Sequence, residues 1–157
     1  MSNVLSQVIC KSSIQKLELV GSKMNENDVV LIIKHKLTNK GGQALIPLQR
    51  GGYFKVKLVE GGIEVDNLGS QPFLPWQVFK EAVVIMIHKG GAAKRGNAMD
   101  YKLGSDGLPF DSIEGYIASV VYKKKAGDSV FRRITPIACI LKWAGICENK
   151  PGKMILL

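Results

Sequence analysis

The sequence predicts a mainly β or α+β fold: an antiparallel sandwich or barrel-like sheet with one C-terminal helix and, as an open alternative, one short middle helix. Two observations support this prediction. Apolar and polar side chains alternate along several short runs, as they do along half-buried strands. Paired glycines, which adopt the positive φ of tight turns at little steric cost, recur at about ten-residue spacing in the first half. The pairs are Gly41-Gly42, Gly51-Gly52, Gly61-Gly62 and Gly90-Gly91.

The strands are predicted between these turns. In Asp28–Leu37, and again in Tyr53–Val59, apolar side chains alternate with lysines, so each run would bury one face and expose lysines on the other. Shorter or weaker runs share the β-branched and aromatic composition of strands. They are Ile14–Val20, Ile63–Val65, Ile113–Lys124, Val130–Ile134 and Met154–Leu157.

Two segments favour a helix. Thr135-Pro136 supplies a cap and a proline at the first helical position, and Gly145 supplies a stop, so a C-terminal helix is predicted between them. The second segment, Pro75–Lys89, is ambiguous because its apolar residues follow helical spacing whereas its VVIMI stretch has the composition of a strand. We predict a helical turn over Pro75–Glu81 that leads into a strand.

No linker or repeat divides the chain, so a single domain over residues 1–157 is predicted, with long loops at Lys89–Tyr101 and Leu103–Asp111. No apolar run approaches the ~18 residues of a membrane crossing. The first residues lack the pattern of a secretion signal, so a cytoplasmic protein is expected. The three cysteines are widely spaced, which favours small buried hydrophobes over a disulfide framework or a zinc site. They are Cys10, Cys139 and Cys147.

Charge is the strongest functional signal in the composition. The chain holds 22 Lys and Arg against 13 Asp and Glu, for a net charge of +9. Residues 1–59 and 123–157 each carry +6, whereas residues 60–122 carry −3. A surplus of this size attracts polyanions, either nucleic acid or an acidic membrane surface.

Three clusters are predicted to bind nucleic acid. The first joins the lysines of the two alternating strands, which would share a surface if both strands lay in one sheet, with a tyrosine beside them for base stacking. The second is a hairpin around the turn at 126–128 whose arms are both basic, and the third is a basic pair in a glycine-rich loop. The predicted residues are Lys34, Lys36, Tyr53, Lys55, Lys57, Lys94, Arg95, Lys123, Lys124, Lys125, Arg132 and Arg133.

Catalytic signatures are weak by comparison. Of the two histidines, His35 occupies an inward position of its predicted strand, and His88 is the better candidate for a general base. Asp111 and Glu114 resemble a loosely spaced carboxylate pair of a metal-dependent nuclease. No phosphate-binding or dinucleotide-binding glycine motif is present, so neither a cofactor nor a metal is predicted.

The sequence therefore predicts a binding protein rather than an enzyme. Its expected ligand is nucleic acid, with RNA or single-stranded DNA favoured over duplex and with little sequence preference. One alternative is a self-associating coat- or matrix-type subunit, a homo-oligomer that meets a polyanion or an acidic membrane. In that case the apolar stretch Met154–Leu157 could add a strand to the sheet of a neighbour. A metal-dependent nuclease is the further alternative.

Overall fold

A computed structural model describes residues 25–157 and shows an α+β fold with two antiparallel sheets, as the sequence predicts. The helices in this part of the chain are α1 (Glu26–Thr38), α2 (Trp76–His88), α3 (Ile113–Val120) and α4 (Ile134–Trp143). The strands are β1 (Gln43–Pro47), β2 (Tyr53–Val59), β3 (Gly62–Val65), β4 (Phe73–Pro75), β5 (Ala92–Lys94), β6 (Cys147–Lys150) and β7 (Lys153–Leu156). The predicted strand Ile14–Val20 and Cys10 lie outside the described residues.

The first sheet is a meander in the order β1-β2-β3-β4, and it confirms the strands predicted at Tyr53–Val59 and Ile63–Val65. Its first turn depends on glycine, because Gly51 and Gly52 have φ values of +101° and +81°. Along β2, Phe54 and Val56 are buried, whereas Tyr53, Lys55 and Lys57 are exposed. One face of this sheet therefore packs on the core, and the other faces solvent.

The segment predicted as the strand Asp28–Leu37 is instead helix α1, so this prediction was wrong. Val29, Ile33 and Leu37 are its buried residues, and a spacing of four places them on one helical face. The Asn25 side chain caps the helix by accepting a hydrogen bond of 2.7 Å from the backbone N–H of Asn27. The run of β-branched residues hides this periodicity because it fits a period of two almost as well.

The structure contains helices at two further segments where strands were predicted. Helix α2 continues through the VVIMI stretch, where packing against α1 and α3 overrides the strand preference of the residues. Ile113–Lys124 is not a strand, because α3 occupies its first part. Ser112 caps α3 by accepting a hydrogen bond of 3.1 Å from the Gly115 N–H. A Cβ at Gly115 would collide with the Pro109 carbonyl, so glycine permits this close packing.

The second sheet has the order β5-β7-β6, with the C-terminal strand in the middle. The strand predicted at Met154–Leu157 is therefore confirmed as β7, and it pairs on both sides within its own chain. The predicted C-terminal helix is confirmed as α4, and Gly145 follows its end with a φ of +78°. The predicted start was wrong, because α4 begins at Ile134 with Arg133 as its N-cap, so Thr135 is not the cap and Pro136 is the third helical residue. Val130–Ile134 forms no strand, because its first four residues have no regular secondary structure and Ile134 is the first residue of α4.

One hydrophobic core joins the two sheets, with α1 packed on β1 and β2, α4 on β1 and β6, and α2 on β5 and β7. Cys139 and Cys147 are buried in this core, as predicted for small hydrophobes. Within residues 25–157, no helix combines the length and the apolar character needed to cross a membrane.

Candidate anion-binding site

The first predicted cluster does not form. Lys34 is exposed on α1, whose apolar face packs against the buried side of β1 and β2. Tyr53, Lys55 and Lys57 are exposed on the opposite, solvent side of the same sheet. The prediction required both lysine pairs to lie on strands, and it failed because α1 is a helix.

Lys36 has a structural role. Its Nζ donates a hydrogen bond of 2.6 Å to the carbonyl oxygen of Trp143, the last residue of α4, and lies 4.6 Å from the centroid of the Trp143 ring. Burial, together with the nearby charge of Lys40, lowers the pKa of Lys36. A cation at this position satisfies an orphan carbonyl and opposes the negative end of the helix dipole. Lys36 therefore joins α1 to α4.

The second predicted cluster is divided by the fold. Lys123, Lys124 and Lys125 are exposed in a turn, but the hairpin predicted around them does not form. Arg133 is only 6% exposed, and its guanidinium lies 3.7 Å from the centroid of the Tyr122 ring. That guanidinium also donates a hydrogen bond of 2.6 Å to Oε1 of Gln71. Arg133 is thus held inside the protein, while its neighbour Arg132 is exposed.

A row of lysines crosses the second sheet. Lys94 of β5 lies opposite Lys153 of β7, and Lys153 lies opposite Lys150 of β6. Residues directly opposite in adjacent strands share a face of the sheet, and all three side chains are exposed. Like charges in this arrangement repel each other. Of these three lysines, only Lys150 forms an ion pair with a described residue, Glu148, at 3.6 Å. We call these three residues the lysine row.

A cleft beside the lysine row is lined by Arg50, Arg95 and Arg132. Its volume is about 480 Å³, and its walls come from the β1–β2 turn, the loop after β5, the start of α4, and β6. No carboxylate of residues 25–157 lines it, so the three guanidinium groups face one another across the cleft without an ion-pair partner in this part of the chain. We call it the arginine cleft.

Arg95 connects the cleft to the lysine row. Its Nη1 donates hydrogen bonds of 2.8 Å to Oδ1 of Asn149 and 3.4 Å to Oε1 of Gln49. Its backbone N–H donates to the carbonyl of Gly152, in the turn between Lys150 and Lys153. Burial, followed by the charges of Arg132 and Arg50, lowers the pKa of Arg95. The guanidinium is therefore oriented by neutral partners and its charge is not neutralised.

A second cavity of about 480 Å³ adjoins the first. Lys94, Arg95 and Arg132 line it, but Asp100 and Asp106 do so as well. Its mixed charge makes it a weaker anion site than the arginine cleft.

Glu114 is buried behind this surface. Its backbone N–H donates to the carbonyl of Arg95, and its carboxylate accepts hydrogen bonds of 3.1 Å from the N–H of Arg133 and 2.8 Å from the N–H of Ile134. These donors are the first N–H groups of α4, so Glu114 caps that helix. Burial raises the pKa of Glu114 to about 7, against the opposing effect of the hydrogen bonds.

The nuclease alternative gains no support from this geometry. The Glu114 carboxylate is engaged with the backbone, and the Asp111 carboxylate forms an ion pair of 2.7 Å with Lys89. His88 is exposed at the end of α2, and His35 lies on α1 with its Nε2 3.0 Å from Nδ2 of Asn39. In the part of the chain that the structure describes, no three His, Cys, Asp or Glu side chains are placed to hold a metal ion.

The structure thus brings together three of the predicted residues, Lys94, Arg95 and Arg132, and adds three that sequence reasoning missed. Lys150 and Lys153 flank the turn dipeptide Pro151-Gly152, which signals a hairpin and could have placed them opposite each other. Arg50 carried no such signal, because its position depends on how the two sheets pack. Comparison with protein-family models, with curated proteins and with solved structures finds no match to this chain.

Proposed function

We propose that this protein binds nucleic acid with little sequence preference, through the lysine row and the arginine cleft. The observation that carries the proposal is the gathering of cationic side chains from four distant segments around one end of the second sheet, where the β6–β7 turn lies. These residues are Arg50, Lys94, Arg95, Arg132, Lys150 and Lys153. Their mutual repulsion opposes folding, and a polyanion would relieve it.

The spacing of the charges suits a phosphate backbone. Cross-strand neighbours on a sheet lie roughly 5 Å apart, which is close to the distance between successive phosphates of a flexible strand. Lysines in such a row contact phosphates as point charges, while the arginines can bind two oxygens at once. Binding of this kind releases counterions, so it weakens steeply as salt is added.

Single-stranded nucleic acid is favoured over duplex because helix α4 is covered by other parts of the protein. Helices α3 and α4 follow one another between β5 and the β6–β7 hairpin, a succession of two helices that helix–turn–helix domains share, although residues 121–133 separate them here. Helix–turn–helix proteins place the second helix of the pair in the major groove of DNA. Here that helix is α4, whose residues Pro136 to Leu141 are all buried, partly against β1. A shared topology does not establish function, and this helix is not free to enter a groove.

An exposed aromatic side chain lies close to the site in sequence. Tyr53 is 67% exposed and stands three residues after Arg50, at the start of β2. The bases of a single strand can stack on such a ring, whereas paired bases cannot. RNA or single-stranded DNA is therefore the proposed ligand.

The test is a titration of one labelled oligonucleotide, as single-stranded RNA, single-stranded DNA and duplex, at two salt concentrations. Lys150→Gln with Lys153→Gln removes two charges from the lysine row. Its matched control, Lys34→Gln with Lys40→Gln, removes two exposed charges from α1 and the residues that follow it. We expect the first pair to weaken binding about tenfold and to lower the salt slope by about two, with the control within about twofold of the wild type. Equal effects of the two pairs would assign the binding to net charge alone and refute this surface.

Self-association is a second candidate, favoured by the solvent face of the first sheet. Leu45 and Tyr53 are 63% and 67% exposed there, and Phe73 is 43% exposed. A second copy of the chain could cover these side chains. Sedimentation at several concentrations checks this, with Leu45→Lys expected to shift the protein towards the monomer. A wild type that stays monomeric at high concentration would refute it. The strand addition predicted for Met154–Leu157 does not support this candidate, because β7 is paired on both sides.

A further inference from the structure

We propose that the arginine cleft binds a phosphomonoester, the terminal phosphate of a nucleic-acid strand, in preference to the internal phosphodiesters. This inference deepens the proposed function and rests on it. The lysine row would then hold the internal phosphates of the same strand, and the cleft would hold its end.

Charge is the first argument. An internal phosphodiester carries one negative charge, whereas a terminal phosphate carries about −1.5 to −2 at neutral pH. Three guanidinium groups line the cleft, no carboxylate of the described residues does, and Asp100 and Asp106 line only the adjoining cavity. Since electrostatic attraction scales with the product of the charges, the more highly charged group gains most from this site.

The second argument is the orientation of Arg95. Nη1 donates both hydrogen bonds that the guanidinium makes to described side chains, one to Asn149 and one to Gln49. Its Nη2 and Nε make no hydrogen bond to any residue between 25 and 157, so one edge of the planar group is left to bind a ligand. That edge can donate two parallel hydrogen bonds to two oxygens of one phosphate. The neutral amides fix the direction of the guanidinium without competing for its charge.

The third argument is the form of the cleft. The buried residues Cys139 and Asn149 contribute to its lining, and the half-buried Thr135 adds a hydroxyl group. Its donors stand on walls from separate segments, and a terminal phosphate presents three free oxygens to the three arginines, whereas an internal phosphodiester presents only two.

The experiment compares one short RNA in three forms, with a 5′-phosphate, with a 3′-phosphate, and with hydroxyl groups at both ends. We expect one phosphorylated form to bind at least tenfold more tightly than the hydroxyl form, at a salt concentration where all three bind. Arg132→Gln, which changes an exposed side chain, should remove this preference, and Arg95→Gln should do the same. Lys150→Gln with Lys153→Gln should weaken all three forms and keep the ratio between them. Circular dichroism checks that each variant is folded.

Competition with inorganic phosphate and with a nucleoside monophosphate identifies the source of the phosphate group. Displacement of the phosphorylated RNA by either compound, without an equal effect on the hydroxyl form, supports the cleft as a phosphomonoester site. Three RNA forms that bind within twofold of each other would overturn the inference, and their salt-dependent binding would leave the proposed function standing. If no RNA binds but the monophosphate does, and Arg132→Gln abolishes that binding, the proposed function fails and the phosphomonoester site remains.

Discussion

The buried carboxylate of Glu114 makes the stability of this protein depend on pH in a predictable direction. Burial raises its pKa from 4.5 to about 7, and the charges of Arg133 and Arg132 and the two N–H donors of α4 only partly oppose this. Tyr122 is the other titratable group that interacts with it. Because the folded-state pKa is raised, protonation favours the folded state. The contribution is fully present below pH 4.5 and is lost as the pH rises through about 7.

The size of the effect follows from the shift. Each pKa unit corresponds to about 1.4 kcal/mol of differential stability, so the shift from 4.5 to about 7 amounts to roughly 3 kcal/mol. For a domain of this size that is a large part of the free energy of unfolding. Glu114→Gln keeps an oxygen that can accept from Ile134 and carries no charge. We expect this variant to lose the pH dependence and to match or exceed the wild type in stability at pH 8.

Urea unfolding followed by circular dichroism, at intervals between pH 5 and pH 8, measures this difference. Subtracting the two profiles removes the contribution that the two proteins share. Glu114→Ala is the control, because it leaves the N–H groups of Arg133 and Ile134 without a partner and should be about 2–4 kcal/mol less stable than Glu114→Gln at every pH. Parallel profiles for the wild type and Glu114→Gln, or a wild-type stability that rises with pH relative to the variant, would refute the reasoning.

Three smaller predictions concern single contacts. Lys36→Ala should lower the free energy of unfolding by about 1 kcal/mol because it removes the hydrogen bond to Trp143. The control Lys34→Ala should change it by less than about 0.5 kcal/mol. Equal losses in the two variants would contradict the capping role of Lys36. Gly115→Ala should destabilise by roughly 2 kcal/mol or more, since its methyl group would meet the Pro109 carbonyl, and an unchanged urea midpoint would disprove the clash. Burial raises the pKa of Cys147 to about 12, so in a protein with Cys10→Ser and Cys139→Ser the Cys147 thiol should react with maleimide at pH 8 only after unfolding. Fast labelling of that native protein would show that the thiol is accessible.

Local signals account for the parts of the fold that the sequence predicted correctly. The sequence predicts strand β2 because apolar side chains alternate with lysines along it and the two glycines before it permit a tight turn. Helix α4 follows the prediction because Pro136 lies in its first turn and Gly145 comes just after its end. These residues constrain their own backbone, so they act in the same way whatever the rest of the chain does.

The missed helices also carried a local signal. Asn25 caps α1 and is followed by acidic residues in the first turn, and Ser112 caps α3 and is followed by Glu114. The β-branched composition of both segments outweighed these caps in the prediction. In the folded protein both segments bury one face of a helix, and this burial outweighs the strand preference of their residues. The capping residues indicate the helical spacing rather than the alternation of a strand.

The site could not be predicted in the same way, because its charge depends on which cations remain without a partner. Lys36 and Arg133 look like binding residues in the sequence, yet one caps α4 and the other stacks on an aromatic ring. Lys94 and Lys153 face each other and form no ion pair with any residue between 25 and 157. Their placement opposite each other, near three arginines that form no ion pair with any described residue, is most simply explained by a ligand that supplies negative charge.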